Sequence, residues 1–401
     1  MRVLVVDSNA GRGCLAAVRG LACGGWTVGV ATANRTGLPN LSRFTRHRHL
    51  VAPVSAGVEP HLQSVRATIA QHDYSLVFAC GDAELLALSE RRESISARVP
   101  YASHRTVLRA LDKRHLGHAA RAVGLRTPPE AASAREAAAR WGAGPVIVKE
   151  SLHGSLDAHG HASHFAPEPY ADHQAAEQRV HEICASGATP VVQPLSEGRL
   201  MAFSCVTDRA GAMVGRVQQV AERTYPAAAG SSVRARTVPI DERLSGQVHG
   251  LLGELGWFGL CELQFLQPAD GPPVLLDLNG RFYGSLALAL AAGVNLPDQW
   301  ARCTLDLPAE RRDGRPGVRY QWMEGDLKAA RERSRGALGD LGDCLRYATR
   351  AHGAIWSASD PLPGARAAAA LLAGGLGVIG AKRRGPSAEH PDEPEDGASD
   401  E

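Results

Sequence analysis

Two short runs of alternating residues, Cys261–Leu266 and Val274–Leu278, flank a connection that holds Pro268, Asp270, Gly271, Pro272 and Pro273. Those connecting residues are strong turn formers, so the pattern predicts two strands joined as a hairpin. Along a strand, residues two apart share a face. Glu262 and Gln264 therefore look one way, as do Asp277 and Asn279. Pairing the strands gathers these four side chains on an otherwise apolar sheet. Converging carboxylate and amide oxygens are hard donors suited to Mg²⁺, which usually also takes oxygens from phosphates. Arg281, two residues further on, is placed to fork onto a transferring phosphoryl group. Half-exposed strands with solvated polar faces show the same alternation, so the hairpin alone leaves both readings open.

The rest of the chain supplies context for that hairpin. The N-terminal run Arg2–Val6 is apolar and Val-rich, Cys14–Ala22 has helical patterning, and Trp26–Ala31 reads as a second strand. Strand, helix and strand with short links open a parallel α/β sheet. A helix over 59–71, a strand over Leu76–Ala79 and a helix over 84–90 extend it, and a single helix is predicted over 104–123. The turn Gly11-Arg12-Gly13 lacks the full GxGxxG spacing and does not by itself support dinucleotide binding. A second region starts near Thr127-Pro128-Pro129, with a helix over 133–141, a strand over Val146–Glu150, a loop rich in Gly, His and Ser, a helix over 174–185 and a strand over 190–194. Strands near 200–206 and 212–220 and a helix over 242–254 lead to the hairpin. The helix Ser285–Ala292 after it stops at Gly293, a typical helix terminator.

Composition removes several functional classes. The chain has 401 residues, 44% hydrophobic and 21% charged, as in ordinary globular proteins of two or three domains. A formal charge of +2 and 5% aromatics, not interleaved with basic clusters, argue against nucleic acid as a partner. The eight cysteines show no CxxC or other zinc spacing and read as free thiols in a reducing cytosol. No secretory leader pattern is present, and the apolar stretch Ala365–Ala381 is too short and too rich in Ala and Gly for a membrane span. The expectation from these features is a cytoplasmic protein. Residues after about 383 are acidic and Pro-containing, the composition of a disordered tail. Only four lysines occur, Lys113, Lys149, Lys328 and Lys382, against forty arginines. Each lysine is correspondingly informative.

The run LLDLNGRFYGSLALALAAGVNLP, residues 275–297, resembles the signature segment of ATP-grasp enzymes, especially carbamoyl-phosphate synthetase-like and carboxylate–amine ligase members. There the strand reads acidic-x-Asn-x-Arg and a Gly-Ser-containing helix follows. Further segments are similar in the same order. Leu111-Asp112-Lys113-Arg114 resembles the family's DK segment, and Gly124-Leu-Arg-Thr127-Pro128 its approach to the core. Val146-Ile-Val-Lys149 resembles the second lysine strand, and Val191-Val-Gln193-Pro194-Leu195 the hinge that meets adenine. The resemblance covers about residues 1–323. It implies an N-terminal Rossmann-like (pre-ATP-grasp) parallel-sheet domain over 1–103, followed by a two-lobed ATP-grasp fold over 104–310, α/β and α+β in class. The small lid lobe would span about 127–195 and the larger lobe 196–310. Residues 311–382 are then a partly helical C-terminal extension and 383–401 the tail.

On this resemblance Lys113 and Lys149 reach the ATP phosphates, and Gln193, Pro194 and Leu195 meet the base, with Glu197 the acid nearest the ribose. His153, Gly154 and Ser155 lie in the flap over the phosphates. Gln264, Asp277 and Asn279 match the metal positions, and Arg281 the phosphate-contacting arginine. Arg223, in the stretch before Gly230-Ser231-Ser232, is a candidate for the substrate carboxylate or acyl phosphate, set against the plain reading of a surface arginine. The chain departs from the family at Gln264, commonly Glu, with Glu262 one strand repeat earlier. It departs again at Asp277, where Glu is usual, and at Gly280, where proline is usual. The expected reaction uses ATP and Mg²⁺ (Mn²⁺ in its place) to turn a carboxylate into an acyl phosphate that an amine captures. Partners are then small-molecule carboxylates and amines, and a homodimer is allowed. A biotin carboxylase-like enzyme, a carboxylate–thiol ligase and a non-catalytic nucleotide-binding regulator are the alternatives.

Overall fold

The computed structural model describes residues 1–7, 11–152, 165–227, 229–333 and 336–383. Four parallel strands open the chain: β1 (Arg2–Val6), β2 (Thr27–Thr32), β3 (Thr45–Leu50) and β4 (Leu76–Ala79), in the order β3-β2-β1-β4. Helices α1 (Arg12–Cys23), α2 (Leu38–Leu41), α3 (Val58–His72) and α4 (Asp82–Glu90) connect and follow them. β1 and β4 are almost wholly apolar because both of their faces are covered. β3, Thr-Arg-His-Arg-His-Leu, was not foreseen as a strand. Its polar residues suit an edge strand with one exposed face, which carries little hydrophobic signal.

The predicted helix over 104–123 is two helices, α5 (His104–Leu111) and α6 (Lys113–Ala122). Asp112 makes the break. Its backbone is extended, and its side chain caps α6 by accepting from the backbone N–H groups of Arg114 and His115. Lys113 N then donates to Ser151 O at 2.9 Å, which ties the start of α6 to the next unit. That unit is a three-stranded sheet, β6-β5-β7, built from β5 (Val146–Glu150), β6 (Glu168–Tyr170) and β7 (Pro190–Pro194) and covered by α7 (Ala134–Trp141) and α8 (His173–Ala185). It has a small core of its own around Ala134, Val148, Ile183 and Val192.

The large sheet contains β8 (Arg199–Thr207), β9 (Met213–Tyr225), β10 (Ser231–Val238), β11 (Gly259–Gln267) and β12 (Val274–Asn279), with α9 (Glu242–Leu255), α10 (Leu286–Ala291) and α11 (Leu296–Thr304). With the short strands β13 (Arg312–Asp313), β14 (Arg319–Gln321) and β15 (His352–Gly353), its order is β12-β11-β8-β9-β10-β14-β15, with β13 beside β9. These last three strands come from the segment expected to be an appended extension. Residues 311–353 are thus part of the large lobe itself, with Tyr320 fully buried between the sheet and α10. The sequence reads them only as a partly helical extension, because strands of two or three residues are too short for periodicity. Helices α12 (Met323–Arg333), α13 (Ala337–Ala348) and α14 (Pro361–Arg383) complete the chain, and the acidic tail lies outside the described residues. No helix among the described residues is long and apolar enough to cross a membrane.

The parallel sheet and the large sheet share one continuous core. Trp300 of α11 joins them: its ring packs edge-on against Phe78 (4.8 Å between centroids), Tyr101 (5.3 Å) and Phe282 (5.2 Å). Its indole N–H donates to Pro100 O at 2.9 Å, which satisfies a polar atom that burial would otherwise strand.

Candidate active site

The hairpin forms as expected, and its register pairs Glu262 with Asn279 and Gln264 with Asp277. Beyond that point the simple alternation fails. Phe265 pairs with Leu275, so Leu276 is an extra, bulged residue in β12. The bulge turns the strand locally, and Leu275 and Leu278 are buried while Leu276, Asp277 and Asn279 remain partly open. Glu262 is 4% exposed and is the hub of the donor set. Its Oε2 accepts from Asn279 Nδ2 at 3.1 Å and from Gln264 Nε2 at 3.2 Å, and its Oε1 from Ser285 Oγ at 3.3 Å. Burial pushes the Glu262 carboxyl above its ordinary range, against the pull of those hydrogen bonds and of Arg281. Gly280 stands where the resemblance leads one to expect proline because a side chain there would run into Trp257, 2.4 Å from an added Cβ.

Two lysines approach from different elements. Lys113, first residue of α6, is 4% exposed, and its Nζ lies 3.8 Å from Asp277 Oδ1. That ammonium has no hydrogen-bond acceptor among the described residues. Lys149, on β5, is 5% exposed, and its pKa is lowered to about 8. Burial is the main cause and the neighbouring Lys113 charge the next, while Asp277 and Glu130 oppose them. A cavity of about 590 Å³ runs between the small and large sheets. Lys113, Lys149, Gln193, Glu197, Gln264 and Asp277 supply its polar wall, and Ile147, Pro194, Leu195, Leu200, Leu266 and Leu276 its apolar wall. Six positions singled out in separate parts of the sequence thus meet in one cleft, with the hinge residues Pro194 and Leu195 beside them.

Other expectations come out differently. Arg281 does not line the cavity. Its guanidinium forks onto Asp82 at the start of α4, with Nε–Oδ1 and Nη2–Oδ2 both 2.9 Å. Burial works against its charge, yet the Asp82 carboxylate outweighs that and raises its pKa. Arg223 does not line the cavity either. With Arg234 it is locked in a cluster in which Asp326 and Asp343 each accept from both arginines at 2.7–2.8 Å. The cause is tertiary: α12 and α13 bring two carboxylates onto the side of β9 and β10 where Arg223 points. His153, Gly154 and Ser155 fall outside the described residues.

Three contributors escaped the sequence reading. Glu130 accepts from Gln193 Nε2 at 3.4 Å and holds up the Lys149 pKa. Its own carboxyl is raised, by burial first, against the Lys149 charge. Ser285 anchors Glu262, and Asp82 holds Arg281. None has a local signal: each is a common polar residue whose partner is distant in sequence.

A parallel-sheet domain, a small sheet with covering helices and a large, mostly antiparallel sheet that closes a cleft against it make up an ATP-grasp fold, which the chain shares with solved structures. Within it, residues 204–326 match the family described as ATP-grasp in the biosynthetic pathway with Ter operon. Similar solved structures include a biotin carboxylase–β,γ-ATP complex from Campylobacter jejuni, at 14% identity and TM-score 0.61, covering 79% of this chain and 74% of that one. An L-amino acid ligase from Bacillus licheniformis is similar at 14% identity and TM-score 0.59, covering 80% of this chain and 78% of that one. N5-carboxyaminoimidazole synthetase from Staphylococcus aureus is similar at 11% identity and TM-score 0.59, covering 79% and 80%. At such identities the likeness concerns the fold. No curated protein matches the chain.

Proposed function

We propose that the protein is an ATP-dependent ligase that activates a substrate carboxylate as an acyl phosphate and joins it to an amine, releasing ADP and phosphate. The observation that carries this reading is the Lys113 ammonium, buried at the cleft without a hydrogen-bond acceptor among the described residues, beside a second buried lysine of lowered pKa. Two buried cations side by side are costly, and a polyanion between them removes that cost. The opposite wall offers carboxylate and amide oxygens, a donor chemistry that fits Mg²⁺. Asp277, Asn279, Gln264 and Glu262 would hold the ion, whose charge would offset that of the phosphates.

The chain's own residues then have separate tasks. Lys113 and Lys149 supply point charges to the phosphates of ATP and keep them near the hairpin. The apolar wall of Ile147, Leu200, Leu266 and Leu276 matches a purine ring, with Gln193 to Leu195 at its edge and Glu197 toward the sugar. Attack of a substrate carboxylate oxygen on the γ-phosphorus breaks its bond to the β-bridging oxygen, and no protein nucleophile is required. Amine attack at the acyl carbon next expels phosphate.

The test is ADP release against a panel of carboxylic acids, with hydroxylamine in place of the amine. Accumulation of a hydroxamate reports the acyl phosphate directly. Lys149→Ala and Asp277→Ala are expected to lower the rate on the order of 100-fold, as loss of one charge-stabilising group typically does. Full turnover in either variant contradicts the assignment. ADP release that needs bicarbonate and biotin selects a carboxylase, ADP release that needs a thiol selects a carboxylate–thiol ligase, and ATP binding without ADP under any acid selects a non-catalytic binder.

A further inference from the structure

The C-terminal edge of the parallel sheet carries a second group of chemically active side chains, apart from the cleft. β1 and β4 are neighbours in register, Val6 opposite Ala79, so the next residues, Asp7 and Cys80, leave the sheet side by side. Cys80 N donates to Val6 O at 2.9 Å, which holds the two strand ends together. Gly11 N donates to Asp7 Oδ2 at 2.7 Å and starts α1, whose first turn swings Cys14 over the same edge. As a result the Asp7 carboxylate and the sulfurs of Cys14 and Cys80 all lie within 4.8 Å of one another. The three donors are buried, and Cys80 is the one whose residue keeps some exposure.

Burial pushes the Cys14 thiol up to about 11 and the Cys80 thiol well above its ordinary value, and the negative charges of Asp7 and the buried Glu84 add to both. A divalent cation reverses this balance, because its charge favours the thiolates that the protein alone disfavours. Soft sulfur donors with one carboxylate suit Zn²⁺ far better than the all-oxygen and amide set on the hairpin. A tetrahedral ion with Zn–S bonds of about 2.3 Å sets its sulfurs roughly 3.8 Å apart, a closing-up within side-chain reach of the observed cluster.

We propose that Asp7, Cys14 and Cys80 form a binding site for one thiophilic divalent cation of the Zn²⁺ type. Binding releases two protons, one from each thiol, and involves no change of oxidation state. Three protein donors leave a fourth position for water. The site lies two residues before Asp82, the partner of Arg281, so occupancy ties down the turn that holds that arginine.

Reduced, metal-stripped protein titrated with Co²⁺ is expected to develop a sulfur-to-cobalt charge-transfer band in the near ultraviolet. The band should saturate at one ion per chain and be displaced by Zn²⁺. It should vanish in the Cys14→Ala/Cys80→Ala variant and persist in Cys23→Ala/Cys184→Ala, which removes the two exposed thiols. X-ray absorption at the zinc edge of the unaltered protein needs no variant to fold: two sulfurs at about 2.3 Å with oxygens or nitrogens at about 2.0 Å are expected. The sulfur number should fall from two to one in Cys14→Ser. A zinc shell without two sulfurs, an unchanged shell in Cys14→Ser, or no cobalt band at all overturns the site.

Discussion

Lys149 keeps its charge at neutral pH but loses it far earlier than an ordinary lysine, because burial and Lys113 both act against its proton and only Asp277 and Glu130 favour it. Between about 8 and the ordinary 10.5 the unfolded chain holds a proton that the folded chain has lost, so this group's contribution to stability rises with pH across that window and is unfavourable below it. A bound triphosphate restores the charge. ATP binding just above pH 8 should therefore take up a proton through this side chain, visible as a calorimetric enthalpy that depends on the buffer's ionisation heat, and Lys149→Ala should abolish the dependence. Glu130 tests the same electrostatics from the other side. Glu130→Gln removes a negative neighbour, so the Lys149 pKa should fall further and the proton-uptake window should move to lower pH. An unmoved window means that Glu130 does not govern the lysine.

Within the hairpin, function and stability pull in opposite directions. Glu262 sits in a pocket that raises its pKa, so its favourable contribution to stability is complete at pH below the ordinary carboxyl value of 4.5 and is lost as pH rises through the folded value. Glu262→Gln keeps the shape and cannot ionise. Relative to the unaltered protein, its urea midpoint should gain with rising pH across the weakly acidic to neutral range and should be the higher of the two at neutral pH. The same variant should lose the stabilisation that Mg²⁺ with ATP confers, as expected where a site residue is kept at the expense of stability. The bulge at Leu276 belongs to this scale too. It turns one apolar side chain into the cleft next to Asp277, which strict alternation would have sent to the other face.

Across the whole molecule, the segment after residue 311 closes the large lobe. β14 pairs with β10, and Asp326 and Asp343 neutralise Arg223 and Arg234 where the sheet would otherwise present two cations. Asp326 is fully buried. Asp326→Ala leaves two arginines short of a partner in a desolvated place and should destabilise the protein by about 3–5 kcal/mol, measured by urea unfolding. Replacing the whole cluster with apolar residues of similar volume should cost much less, because the penalty arises from the unpaired charge. Trp300 and its three aromatic neighbours couple the parallel sheet to the same lobe, so these parts are expected to unfold together.

Local patterning was enough to find most of the long strands, most helices and the hairpin donors, because their information lies in short-range alternation and turn chemistry, whereas Lys113 and Lys149 were singled out by the family resemblance together with the scarcity of lysine. Val146–Glu150 and Leu76–Ala79 fall where the sequence places them, and Glu262 pairs with Asn279 as the alternation requires. The partners of Arg223 and Arg281 were hidden, as were Asp112 as a helix break, the strands β13 to β15 and the meeting of Asp7 with Cys14 and Cys80. In each case the deciding contact joins residues from separate elements, and the free energy of an ion pair, a cap or a short strand depends on what the fold brings alongside. Sequence determined which side chains were available and on which faces they stood; only the tertiary packing decided which of them meet.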